Sequence, residues 1–144
     1  AEVVEWADRA LRLADGDSPA GIEAAAIKGL GLLAAGHPRR AAAAYDELST
    51  RVRHGAQAQR VIMGRGWVQY IRDDVDGARS SLESAVAAAG LGGSTRITLW
   101  ALAWLARVQF SIGDWDTAMT SVEHGLALAD HSGIVLATPL LEWT

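Results

Sequence analysis

Apolar residues recur along this chain at three- and four-residue intervals, the spacing that lays one face of a helix against a core. The pattern predicts helices over residues 2–15, 20–35, 39–54, 56–72, 75–89, 95–112, 115–130 and 134–143. Short polar breaks separate them, among them Gly36-His37-Pro38 and Gly113-Asp114. Ala and Leu dominate the apolar positions and favour helix, while β-branched residues are few outside short clusters. The expected fold class is all-α.

The breaks are related to one another. Gly36-His37-Pro38-Arg39-Arg40-Ala41, Asp73-Asp74-Val75-Asp76-Gly77-Ala78 and Gly113-Asp114-Trp115-Asp116-Thr117-Ala118 align on an alanine, with spacings of 37 and 40 residues. Leu48, Ala85 and Gly125 repeat at the same two spacings in the helices that follow. Ala10-Leu11-Arg12-Leu13-Ala14-Asp15 matches Gly125-Leu126-Ala127-Leu128-Ala129-Asp130, so the first helix is expected to be the second half of an earlier unit. Gly113 suits a left-handed helix end, and Asp114 can accept from the free N–H groups that open the next helix. Ala41, Ala78 and Ala118 are small where two helices of a pair approach. A period this long marks stacked helix pairs, about three full ones with partial ones at both ends, in a single domain over 1–144.

Gly113-Asp114-Trp115-Asp116-x-Ala118, with Gly66 and Ala106 as small residues in the preceding helices, resembles the tetratricopeptide repeat family. The resemblance covers nearly the whole chain and implies a right-handed superhelix, an α-solenoid of antiparallel helix pairs. Tyr70 and Phe110 stand one place later than the family's first-helix aromatic, the closing proline is absent, and the period exceeds the family's ~34 residues. Gly113 to Ala118, Leu126 to Asp130 and Pro139 to Thr144 together resemble the helical region of large ATP-binding LuxR-type (MalT-like) bacterial transcriptional regulators. That resemblance rests on the last third of the chain. It implies a sensor segment between an ATPase module and a DNA-binding helix-turn-helix.

Half of the 144 residues are hydrophobic, which disfavours disorder. Thirteen basic and 17 acidic residues give a net charge of −4, spread without long runs, and leave no footprint for direct nucleic-acid binding. Cysteine is absent, which excludes disulfides and thiolate metal sites and fits a cytoplasmic protein. Uncharged stretches such as Ile97 to Ala106 fall well short of the ~20 residues of a membrane span. Residue 1 is Ala, and Ile134 to Thr144 opens a new apolar segment. We therefore expect part of a longer protein, with terminal helices whose stacking faces can pair with another copy.

Candidate chemistry is sparse. Gly29-Leu30-Gly31 lacks the spacing and the Gly-Lys-Ser/Thr of a phosphate loop and fits close helix packing. Asp73-Asp74-Val75-Asp76-Gly77 begins like a calcium loop, but position 12 counted from Asp74 is Ala85 rather than Glu; a turn with N-capping carboxylates accounts for it. His37, His54, His124 and His131 do not group as a zinc motif, and surface roles are expected. Ser80, Ser81 and Ser84 have no elbow, base or oxyanion signature. No catalytic constellation, metal site or cofactor follows, and the expectation is a protein that is not an enzyme.

The candidate recognition surface comes from a 40-residue shift that superposes Arg60 on Trp100, Gly64 on Trp104 and Trp67 on Arg107. Ile62, Gly66 and Tyr70, then Leu102, Ala106 and Phe110, form the expected core strips. Arg60, Trp67, Trp100, Trp104 and Arg107 share the flank beside them. In tetratricopeptide superhelices that face is concave, so the tryptophans would supply contact area and the arginines would hold anionic or hydroxyl-bearing ligands. Packing between repeats is the structural alternative for each tryptophan. The leading expectation is a non-catalytic sensor or protein-interaction segment taking a small effector, a peptide or a protein partner. The alternative is a structural adaptor that assembles proteins without sensing.

Overall fold

A computed structural model describes residues 2–143. Ala1 and Thr144, the latter closing the regulator-like run from Pro139, lie outside the described residues. Among the described residues eight α-helices follow one another: α1 Glu2–Leu13, α2 Pro19–Ala34, α3 Pro38–Arg51, α4 Gly55–Ile71, α5 Val75–Ala87, α6 Thr95–Ser111, α7 Trp115–Ser132 and α8 Thr138–Glu142, with a 3-10 turn at Ala88–Leu91. The described residues hold no strand.

Each helix packs on the next in the chain. α2, α4, α6 and α8 also touch one another in succession, and α3, α5 and α7 lie against that layer. The interior between the layers takes its small residues from both sides. Ala41, Ala78 and Ala118 are 0%, 0% and 3% exposed, so all three aligned alanines are buried. Tyr45, four residues after Ala41, is fully buried and donates its hydroxyl to Ala26 O at 2.8 Å. Its ring fits because Gly29 and Gly64 carry no side chain; a Cβ on Gly29 would lie 2.8 Å from the ring, and one on Gly64 would run into it. One unit later, Leu82 meets Gly66, where a Cβ would come within 2.6 Å of Leu82 Cγ. Glycine on one helix thus opposes a bulky residue on its neighbour in both hairpins.

The three turns also share one backbone solution. Gly36, Asp73 and Gly113 all take positive φ, at 80°, 64° and 81°. The next N–H in each case reaches back to the carbonyl five residues earlier: His37 to Leu32 at 2.8 Å, Asp74 to Gln69 at 2.9 Å, Asp114 to Gln109 at 3.0 Å. These bonds satisfy carbonyls that a helix end leaves free. The capping expectation needs one correction. Asp74 caps α5 through Gly77 N–H at 3.1 Å, but Asp114 makes no side-chain cap, and its carboxylate lies 3.5 Å from Arg79.

Three other expectations change. The last helix was expected over 134–143 but spans Thr138–Glu142, while α7 continues to Ser132 and ends at Gly133 with φ 68°. Pro139 has no N–H for a helix begun at 134 and is accommodated in a first turn. Ala10 is exposed and Ala7 is the buried residue of α1, so the match between Ala10–Asp15 and Gly125–Asp130 corresponds to no common environment. α2 covers α1, whereas Gly125 is closed over by Leu141 of α8. Phe110 is 54% exposed, although Leu102 and Ala106 of the same strip are buried. Residues four apart drift about 40° around a helix, and two such steps carry Phe110 off the core face.

Candidate functional site

Alternate helices build a partly open cavity of about 160 Å³, lined by Leu30 of α2, Arg60, Met63 and Trp67 of α4, and Trp100 and Trp104 of α6. Four of the five sequence-predicted residues therefore converge. Trp67 and Trp104 stack across the α4–α6 contact with centroids 4.8 Å apart and planes inclined by 24°. The Tyr70 ring centroid lies 6.3 Å from that of Trp104, with the planes tilted by 52°. Arg107, the fifth, is not among the lining residues; its guanidinium sits 4.6 Å from the ring centroid of Trp143. The repeat spacing explains this. Leu30, Trp67 and Arg107 are equivalent positions at intervals of 37 and 40, so Arg107 falls one step beyond the cavity.

The electrostatics of the wall depend on a residue that sequence reasoning missed. Arg60 Nε lies 2.8 Å from Glu23 Oε2, a pairing that brings a carboxylate to the guanidinium. The Nε–H finds no acceptor in line, so the contact is an ion pair rather than a directed hydrogen bond. Glu23 stands 37 residues before Arg60, at the equivalent position of the preceding unit; extending the alignment upstream would have found it. Trp67 Nε1 is also buried without an acceptor, as buried indole N–H groups seldom are. Close by in the core, burial pushes the Tyr45 hydroxyl pKa up from its usual 10.0, with Arg60 opposing and Glu23 assisting.

A second pattern was legible but unread. Ser81 donates to Gln69 Oε1 at 2.7 Å, and Ser121 donates to Gln109 Oε1 at 2.8 Å. Both pairs join the two helices of a hairpin, and both residues recur at 40. Gln59, fully buried, holds the segment entering α6: its amide donates to Ala85 O and Thr98 Oγ1, and its carbonyl accepts from Ser94 N.

Elsewhere the polar groups are occupied in structure. Ser84 donates to Ser80 O at 2.9 Å within α5. His37, His54, His124 and His131 are all exposed, and no group of three or more His, Asp or Glu among the described residues could hold a metal ion. No described helix is long and apolar enough to cross a membrane. No protein-family model matches the chain, and no curated protein matches it significantly.

Proposed function

We propose that this chain is a non-catalytic recognition module of tetratricopeptide-like helix pairs, wound as a right-handed superhelix, and that it takes its ligand in the tryptophan cavity. The repeat reading is supported by the three turns of one geometry and by the burial of all three aligned alanines. The recognition reading is carried by a single observation: Arg60, Trp67, Trp100 and Trp104, from two different hairpins, surround a space that they do not fill. Large aromatic faces and a buried Trp67 indole N–H without an acceptor meet at this partly open space. In this reading the chain is the sensor segment of a LuxR-type bacterial regulator. Ligand bound between α4 and α6 biases the spacing of neighbouring hairpins, and it signals only through a difference in affinity between two packings.

The test is a fragment screen by ligand-observed NMR on the wild type and on Trp100→Ala, with helicity and melting followed by circular dichroism. Hits lost in Trp100→Ala at unchanged melting support the reading; hits that persist place binding elsewhere. An ATPase segment upstream and a helix-turn-helix downstream in the gene would support the regulator assignment, and their absence would remove it. A scaffold without effector sensing is the second reading, favoured by the exposed Phe110, Ile112, Trp115 and Met119 around the α6–α7 turn. It requires that Trp115→Asp abolish binding of a defined protein partner while fragment binding stays undetectable.

A further inference from the structure

We infer that the tryptophan cavity selects an uncharged, single-ring molecule carrying a hydrogen-bond acceptor such as a ketone or amide carbonyl. The inference rests on the recognition reading above and names the chemistry of that same site.

Three observations lead to it. The first is size. The cavity is about 160 Å³, close to the roughly 150 Å³ that accommodates one benzene in an apolar protein interior. One ring fills it, and a fused or linked pair would extend out through the open side. The second is the polarity of the wall. The side chains of Trp67, Trp100, Trp104 and Arg60 carry only N–H donors, and the Trp67 indole N–H is buried without an acceptor; Met63 contributes only a weak acceptor and Leu30 none. A ligand whose polar atom is a donor would find only the Glu23 carboxylate, which is already paired with Arg60.

The third is charge. Glu23 is the carboxylate beside Arg60, at 2.8 Å from Nε, and Arg60 makes no other ion pair or hydrogen bond among the described residues. Its side chain remains 21% exposed, so the terminal nitrogens keep donors free for a ligand. The pair as a whole is neutral. A ligand carboxylate would gain Arg60 but meet Glu23, whereas a carbonyl oxygen accepts from Arg60 without that repulsion. The stacked faces of Trp67 and Trp104 supply aromatic surface for the ring.

Toluene, acetophenone and benzoate share the ring and differ only in the group that decides the matter. Titration of the wild type, followed by tryptophan fluorescence and by NMR, should rank acetophenone about tenfold tighter than toluene, the ratio one hydrogen bond to a charged donor gives. Benzoate should bind no better than toluene. Arg60→Met keeps an unbranched stem and should bring acetophenone down to the level of toluene. Glu23→Gln removes the opposing carboxylate and should strengthen benzoate about tenfold while leaving toluene unchanged. Trp100→Ala should weaken all three.

Equal binding of toluene and acetophenone, or a preference for benzoate in the wild type, overturns the assigned chemistry while leaving the cavity as the recognition site. No binding of any ring, or binding indifferent to Trp100→Ala, overturns the recognition reading itself. Circular dichroism on each variant separates these results from loss of fold, and Glu23→Gln decides the charge argument even if Arg60→Met does not fold.

Discussion

Tyr45 shows what single residues contribute. Its ring occupies a slot between two helices that exists only because Gly29 and Gly64 have no side chains. Gly64→Ala should therefore destabilise the protein by about 1–3 kcal/mol, the usual cost of overpacking a filled core, measured by urea denaturation. The hydroxyl titrates in a direction that can be checked. Burial raises its pKa above the usual 10.0, so the folded state holds the neutral form more strongly than the unfolded chain does. The stability from this site is fully present below pH 10 and is lost as pH rises through the folded value. Ultraviolet titration of Tyr70→Phe should show Tyr45 ionising only on alkaline unfolding. Ionisation of Tyr45 near pH 10 in the folded protein would show that it is not shielded.

Helix ends repay the same attention. Gly36, Asp73 and Gly113 share a left-handed conformation, and two of the three are glycine. An L-residue pays about 1 kcal/mol there, with Asp among the less penalised. Asp73→Gly should raise stability by about 0.5–1 kcal/mol, and Gly113→Ala should lower it by about 1 kcal/mol. Opposite signs in thermal melts are the expected outcome; equal signs would mean that the turns are not equivalent. These elements were largely legible beforehand, because an alanine and a turn residue at 37 and 40 residues leave few other arrangements. The failures had local causes. Asp114 has a cation, Arg79, nearby to compete for its carboxylate, and periodicity alone did not register the constraint of Pro139 on α8.

At the scale of the molecule, three alternate helices, α2, α4 and α6, each contribute to the cavity wall. The tryptophans were legible as a shared flank because their helical-wheel positions, aligned by a 40-residue shift, fall beside the core strip. Glu23 was missed because on its own an acid on α2 looks like any solvated charge; the 37-residue spacing to Arg60 was the available signal, and the coordinates show the contact. Arg107 was grouped with the tryptophans for its angular position, but distance along the stack decides membership and assigns it to Trp143.

The paired indoles of Trp67 and Trp104 are also an optical gauge. Their centroids lie 4.8 Å apart with planes inclined by 24°, and they belong to different hairpins; at this separation the excited states mix, and the skew between the rings should give a two-signed band in the far-ultraviolet dichroism. Trp104→Phe should erase that couplet without changing the helical signal. In the intact protein its amplitude would follow any slippage between one hairpin and the next, with no label attached.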